Sequence, residues 1–217
     1  MDSFFFNITD RCYKLTELFS LKEQHVNRVD ISNGLVFFDI ALKLSQQRVL
    51  RLNNLDRMNF IVSVRRGRCS IKDNLSDNNF TLRENYTYLF GTSRQDMEIK
   101  MEPSKSSEIF ILFVGDFFIR RYLSDQPNEP INFLYQKLQQ EISLELIDQT
   151  PTDALSLYLI DKIINTKNSQ QMNSMIGEHR AIEYMIHRFS MIELDTDQIH
   201  TVEEVKIASA AKKIILK

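Results

Sequence analysis

The sequence is short of the residues and segments that several classes of protein require. Its two cysteines, Cys12 and Cys69, lie far apart and form no C-x-x-C pair, so neither a disulfide framework nor a cysteine zinc site is predicted. No segment approaches the roughly 18 unbroken apolar residues of a membrane span. The first residues lack the basic region of a secretory signal. We therefore expect a protein of a reducing compartment, the cytoplasm, that has no membrane partner.

An excess of charge of one sign is also absent. The 27 lysines and arginines nearly cancel the 29 aspartates and glutamates, which leaves a net charge of -2 over 217 residues. This balance predicts that the chain does not bind nucleic acid by itself, so any contact with DNA would need residues outside it. The hydrophobic content of 43% is that of an ordinary globular protein and is sufficient for a core without disulfides or metals.

Groups that commonly carry catalysis or bind cofactors are sparse. The four histidines are His25, His179, His187 and His200, so the chain from 26 to 178 has none and cannot build a His-x-His metal site on its strands. The five glycines form neither G-x-G-x-x-G nor G-x-x-x-x-G-K, the phosphate-binding patterns. We expect a protein that is not an enzyme and that has no cofactor and no metal.

Two polar clusters have more than one interpretation. His179, Glu183 and His187 are spaced at i, i+4 and i+8, which places them on one stripe of a helix. The stripe could offer two nitrogens and a carboxylate to a metal, but a solvated or interfacial polar stripe is the favoured interpretation. The arginines within residues 65–68 likewise favour a solvated hairpin tip over an anion contact.

The first half of the chain has the two-residue period of β-strands. Apolar residues of one parity alternate with polar ones between Gly34 and Ser45 and again from 57 to 64, and residues 108–114 form a continuous apolar run. Short polar turns separate these segments. Six to eight strands of this kind predict a cupin-like small β-barrel or jelly roll over residues 1–114.

After Gly115 the apolar residues follow helical spacing. We predict a helix capped by Asp116, a second over 128–147, and a third that opens at Thr150–Asp153. The longest pattern runs from Met172 to Ile192, and a last one covers 202–216. The fold class is therefore α+β, with the barrel followed by an α-helical dimerisation region over residues 115–200.

The architecture suggests two sets of functional residues. A barrel without catalytic groups can enclose a ligand between its inward side chains. Those side chains are predicted equally as core and as ligand contacts: Phe38, Ile40, Phe60, Val62, Phe110 and Leu112. One stripe of the long helix is predicted either as intramolecular core or as the seam of a homodimer: Met175, Ile182, Met185, Ile186 and Phe189.

Three segments resemble the N-terminal regulatory part of AraC/XylS-type transcriptional regulators, in particular their siderophore-responsive branch. The first is the apolar strand IFILFV at 109–114 with the helix FFIRRYL at 117–123. The second, RAIEYMIHRF at 180–189, is similar to an R-x-x-E-x-K-x-x-E-L helix, in which Met185 and Arg188 replace the usual lysine and glutamate. The third, VEEVKIASAAKKIIL at 202–216, resembles the helix that leads into the family's DNA-binding domain.

The resemblance implies an effector-sensing and dimerisation domain. Residues 201–217 would then begin a truncated helix-turn-helix domain, and DNA would be reached only through that missing C-terminal part. The expected partners are a second copy of the chain and an unknown small-molecule effector, siderophore-like or apolar. Two other functions stay open, a ligand-free protein–protein interaction module and an enzyme with an unusual metal site or no cofactor.

Overall fold

The computed structural model describes residues 2–5, 12–54, 56–126, 129–140, 143–168 and 173–193. The helix predicted over 202–216 and the DNA-binding start predicted at 201–217 lie outside these residues. The strands are β1 Asp2–Phe5, β2 Lys14–Leu21, β3 Gln24–Ser32, β4 Leu35–Leu44, β5 Arg48–Asn54, β6 Met58–Arg66, β7 Cys69–Asp73, β8 Asn79–Leu82, β9 Tyr86–Thr92, β10 Gln95–Met101, β11 Ser104–Gly115 and β12 Glu145–Pro151. The helices are α1 Asp116–Ile119, α2 Pro130–Leu138, α3 Ala154–Ile164 and α4 Asn173–Phe189.

The strands form two sheets. One has five strands in the order β1-β5-β10-β7-β8, and the other has seven in the order β12-β9-β6-β11-β4-β3-β2. Strands β1 and β5 run parallel, while the other described pairs are antiparallel. No helix among the described residues has the length and hydropathy needed to cross a membrane.

A first core fills the space between the two sheets. It joins residues of the five-stranded sheet, such as Leu50 and Ile99, to residues of the seven-stranded sheet. The ring of Phe60 lies 5.1 Å from that of Phe90 and 5.3 Å from that of Phe113, measured between centroids. The interior of the sandwich is therefore packed with aromatic and aliphatic side chains.

A second core lies on the other face of the seven-stranded sheet, where the helices cover it. Successive side chains of a strand point to opposite faces, so Phe60 and Val62 join the first core while Ile61 joins the second. Phe110 meets Tyr184 of α4 edge to face, with centroids 6.0 Å apart. The predicted α+β fold, a jelly-roll-like sandwich followed by helices, is confirmed.

One helix predicted from the sequence is correct in its first half and wrong in its second half. The helix expected over 128–147 ends at Leu138, and Glu145–Pro151 forms β12 at the edge of the seven-stranded sheet. Leu146 pairs with Phe90 and Thr150 with Thr87 of β9. The spacing of the apolar residues also fits a helix, but the segment forms a strand because its backbone hydrogen-bonds to the open edge of the sheet. The predicted cap is also displaced, because Gly115 occupies the N-cap position of α1 and Asp116 is its first residue.

Candidate functional site

An apolar groove lies beside α4, between that helix and the segments that lead into and begin α2. Its volume is about 370 Å³, which is within the range of small-molecule pockets. We call it the α4 groove and define it by its lining residues, Tyr122, Glu129, Pro130, Ile131, Ile182, Met185, Ile186, Phe189 and Ser190. The side chains of three separate segments therefore meet in one concave surface.

Helical spacing explains why α4 lines this groove. Ile182, Met185, Ile186 and Phe189 follow at i, i+3, i+4 and i+7, so they share one face of the helix. Met185 and Phe189 are buried and contribute to the second core, whereas Ile186 is 65% exposed. The groove thus has a floor that belongs to the core and a rim that faces solvent.

The residues of the stripe predicted as a dimer seam do not all have the same surroundings. Four of its five residues line the α4 groove, and the fifth, Met175, lies outside it and is 65% exposed. Met185 and Phe189 serve the intramolecular core that was the alternative interpretation. A dimer seam on Met175 and Ile186 stays a prediction.

The opposite face of α4 is attached to the sheet by hydroxyl groups. The Tyr184 hydroxyl lies 2.9 Å from Ser63 Oγ, which lies 2.9 Å from Thr87 Oγ1, which lies 2.9 Å from Thr152 Oγ1. Burial raises the pKa of Tyr184 to about 12, despite the hydrogen bond with Ser63. The phenol therefore keeps its proton at physiological pH and remains a neutral member of this chain of hydrogen bonds.

Arg188, also on that face, is a charged side chain only 3% exposed. Its guanidinium lies 3.7 Å from Asp148 of β12 and 3.5 Å from Asp153, and it donates to Ser156 Oγ and Thr150 Oγ1. Burial raises the pKa of Asp148, an effect that the charge of Arg188 opposes. Arg188 therefore joins α4 to β12 and to the start of α3.

Asp153 completes this connection. Its carboxylate caps α3 by accepting from the backbone N–H of Ser156 at 2.8 Å, and both of its oxygens lie 3.0 Å from His187 Nε2. Burial alone would raise the pKa of Asp153, but the hydrogen bonds from Ser156 and His187 outweigh it and hold the pKa well below the usual range. The cap thereby links α4 to α3.

The predicted stripe of His179, Glu183 and His187 is not brought to one centre. His187 binds Asp153, while His179 lies 3.4 Å from Glu183 near the helix surface. Among the residues that the structure describes, no group of three or more histidine, cysteine or acidic side chains is placed to hold a metal ion. The favoured interpretation, an interfacial polar stripe, fits the contact of His187.

Replacing Asp153 with asparagine is expected to make stability less dependent on acid pH. Asparagine also caps helices, so the change removes mainly the charge that faces His187 and Arg188. A carboxyl whose folded pKa is lowered stabilises the fold above its unfolded pKa of about 3.9, and this stabilisation is lost as the pH falls through the folded pKa. Urea unfolding from pH 7 to pH 3 should show a smaller acid decrease in the free energy of unfolding for Asp153→Asn.

The matched control is Asp161→Asn on the same helix. Asp161 pairs with Arg65 at 3.0 Å but is about half exposed, so its removal should leave the acid slope close to that of the unmodified protein. The pKa of Asp148 is raised, so this residue affects the pH dependence of stability in the direction opposite to Asp153. Both variants retain Asp148, so its effect does not distinguish them. Equal acid slopes for Asp153→Asn and the unmodified protein would contradict the assignment.

A second, polar pocket of about 240 Å³ lies on the helix-facing side of the seven-stranded sheet. Its lining residues are His25, Asp39, Ile40, Ala41, Arg65, Glu108, Ile109, Phe110, Asp161, Ile164 and Asn165. His25 lies 2.9 Å from Asp39, Arg65 pairs with Asp161, and Arg66 lies 3.3 Å from Glu108. Two of the arginines predicted to form a solvated hairpin tip, Arg65 and Arg66, therefore form ion pairs.

The six predicted ligand contacts divide between the two cores. Phe38, Ile40, Phe60 and Val62 point between the sheets, as predicted, into a packed interior. Phe110 and Leu112 do not, because Ile109, Ile111 and Phe113 occupy the interior positions of β11. The inward orientation of Phe110 and Leu112 was wrong, since a continuous apolar run does not show which parity faces which side. That any of the six contacts a ligand stays a prediction.

Sequence reasoning missed the other walls of the α4 groove. Tyr122 and Ser190 carried no signal that could have placed them there. Pro130 marks the start of α2, since proline is favoured at the first helical position, but this local signal does not show that Glu129 and Pro130 meet the end of α4.

Comparison with known proteins gives a likeness of fold. No family model and no curated protein matches the chain. Apo ToxT from Vibrio cholerae is 14% identical over 79% of this chain and 64% of that one, with a TM-score of 0.44. Unsaturated fatty acid bound ToxT is 12% identical over 75% and 58%, with a TM-score of 0.37. The nickel(II) complex of the bacterial pirin from Escherichia coli is 10% identical over 66% and 55%, with a TM-score of 0.36.

Proposed function

We propose that this chain is the effector-sensing and dimerisation portion of an AraC-type transcription regulator, acting in the cytoplasm and reaching DNA through residues outside it. One observation carries the proposal. The resemblance to that family rests on two described motifs. The motif at 109–123 covers the end of β11, α1 and the helical turn after it, and the motif at 180–189 lies on α4. Tyr122 from the first motif and Ile182 to Phe189 from the second line the same groove.

The geometry supports a route from an effector to a partner. An effector in the α4 groove would contact α4 on the face that continues to the exposed residues Met175 and Ile186. The other face of α4 is fixed to the sheet and to α3 through Tyr184 and Arg188. If α4 can occupy two positions on the sheet, an effector that prefers the protein with α4 in one of them would raise the population of that conformation. The surface that α4 offers to a second copy would then change as well.

In this proposal the chain binds and does not catalyse. Most of the groove is apolar, with Glu129, Ser190 and Tyr122 as its polar lining groups, an arrangement typical of recognition of an apolar small molecule. The narrower assignment, to the siderophore-responsive branch, rests on the sequence motifs alone.

Replacing Ile186 or Met175 with glutamate is expected to weaken a homodimer at least about tenfold, because a buried unpaired carboxylate is strongly disfavoured. Sedimentation equilibrium measures the dissociation constant. Leu155→Glu is the matched control, since Leu155 is an exposed aliphatic residue, 48% accessible, on α3. A dimer unaffected by both α4 variants, or a monomer at all concentrations, would contradict a seam on α4.

A ligand-free interaction module is the second candidate, and the packed space between the sheets favours it. The two functions differ in their response to small apolar molecules. A ligand that binds only the folded state raises the melting temperature. If decanol, fatty acids and ferric siderophores all leave the melting temperature unchanged, the interaction module is supported and effector sensing is not.

A further inference from the structure

Among the residues that line the α4 groove, Glu129 carries the one carboxyl group, and this residue is exposed. Glu129 occupies the N-cap position of α2, yet its side chain makes no capping hydrogen bond. Within the described part of the chain, no lysine or arginine forms an ion pair with it. Glu129 therefore brings a solvent-accessible carboxylate to the edge of an apolar groove.

The other polar groups at the groove are poor partners for an anion. Ser190 Oγ already donates to the carbonyl oxygen of His187 at 2.8 Å. The start of α2 offers few donors, because Pro130 has no N–H and the N–H groups of Asn132 and Phe133 are bonded to the Glu129 carbonyl oxygen.

Two arginines that adjoin lining residues in the sequence, Arg121 and Arg188, are engaged elsewhere. The guanidinium of Arg121 lies 4.2 Å from the centre of the Phe118 ring and 3.5 Å from Glu178. Arg188 is buried beside Asp148 and Asp153 on the other face of α4. Neither of them lines the groove, so among the residues that the structure describes a ligand carboxylate would meet Glu129 without a lining cation to compensate it.

We infer that the α4 groove binds an amphiphile with an apolar body and a cationic head, such as an alkylammonium ion. The inference rests on the proposed function and names the chemistry of its effector. Ile131, Ile182 and Phe189 supply apolar contact for the body, and Glu129 supplies a charge-assisted hydrogen bond for the head. A neutral alcohol of the same length keeps the apolar contact but lacks the charged hydrogen bond. A carboxylate keeps the apolar contact too, but its negative charge is repelled by that of Glu129.

Calorimetric titration of the full chain with decylammonium, decanol and decanoate at pH 7 and low salt tests this order. We expect decylammonium to bind about two- to fivefold more tightly than decanol, in the range of one exposed ion pair, and decanoate to bind most weakly. Glu129→Gln should make decylammonium and decanol equal, and Glu129→Lys should favour decanoate. Methylammonium, a head without a body, should show no binding.

Glu23→Gln is the matched control, because Glu23 lies in the turn before β3 and pairs with Lys43 on the surface. It should leave all three affinities unchanged. Equal binding of decanoate and decylammonium, or a preference that survives Glu129→Gln, would overturn the cationic head while leaving effector sensing in place. Binding of none of the three would overturn the amphiphile, whereas effector sensing itself is tested separately by the melting temperatures with ferric siderophores. Dimer formation that excludes decylammonium would show that a second copy occupies the groove and would also overturn the inference.

Discussion

Replacing Arg188 with alanine is expected to lower the free energy of unfolding by about 3–5 kcal/mol, the range found when one partner of a buried ion pair is removed. Arg188 is 3% exposed, and the change would leave Asp148 without its cation and Asp153 with His187 as its remaining partner on α4. Urea unfolding at pH 7 measures the loss. Because Arg188 joins α4 to β12, the variant should also lose the fixed packing of α4.

Arg66→Ala is the control for this prediction. The Arg66 side chain is 63% exposed and lies 3.3 Å from Glu108, so its loss should change the free energy of unfolding by less than about 1 kcal/mol. Arg188→Met separates charge from packing, since methionine keeps the apolar stem but removes the guanidinium from the same carboxylates. A loss below about 1 kcal/mol for Arg188→Ala would contradict the prediction and show that solvent, which reaches 18% of the Asp148 and 34% of the Asp153 side chain, compensates the two carboxylates.

Phe60→Ala is expected to lower the free energy of unfolding by a similar amount, about 3–5 kcal/mol, from lost burial and the cavity left behind. Phe60 is fully buried between the sheets and contacts Phe90 and Phe113. Tyr158→Ala is the control, because Tyr158 is an aromatic residue 55% exposed on α3 and should contribute little. Thermal and urea unfolding measure both variants.

The same variant separates the two places where an effector could bind. Phe60 was predicted as a ligand contact of the barrel, whereas the α4 groove lies on the other side of the seven-stranded sheet. Below its lowered melting temperature, Phe60→Ala should bind decylammonium with unchanged affinity. Loss of binding with little loss of stability would instead place the effector between the sheets.

Elements with a strong period could be predicted from the sequence. Alternation identified β4 and β6, the segment Thr150–Asp153 identified the start of α3, and helical spacing identified α4. Segments whose pattern fits two structures could not be assigned. Residues 145–147 were included in the helix predicted over 128–147 because Leu146 fits its apolar spacing, and only the open edge of β9 makes them part of a strand.

The candidate site was predictable only in part. The stripe on α4 was visible as Ile182, Met185, Ile186 and Phe189, because a helical period needs no partner to be recognised. The wall opposite depends on a tertiary contact between the start of α2 and the end of α4. No local pattern encodes a contact between residues so distant in sequence, so Glu129, which fixes the charge of the groove, could not be assigned to it.

Strand β12 has a consequence for folding cooperativity. It comes from the helical half of the chain but completes the sheet of the strand half, with Glu145 to Pro151 paired along β9. A fragment that stopped after β11 would leave the backbone groups of β9 open at a long sheet edge, a surface prone to pairing with other chains. We therefore expect the two halves to unfold in a single transition, because the strand that precedes α3 belongs to the sheet.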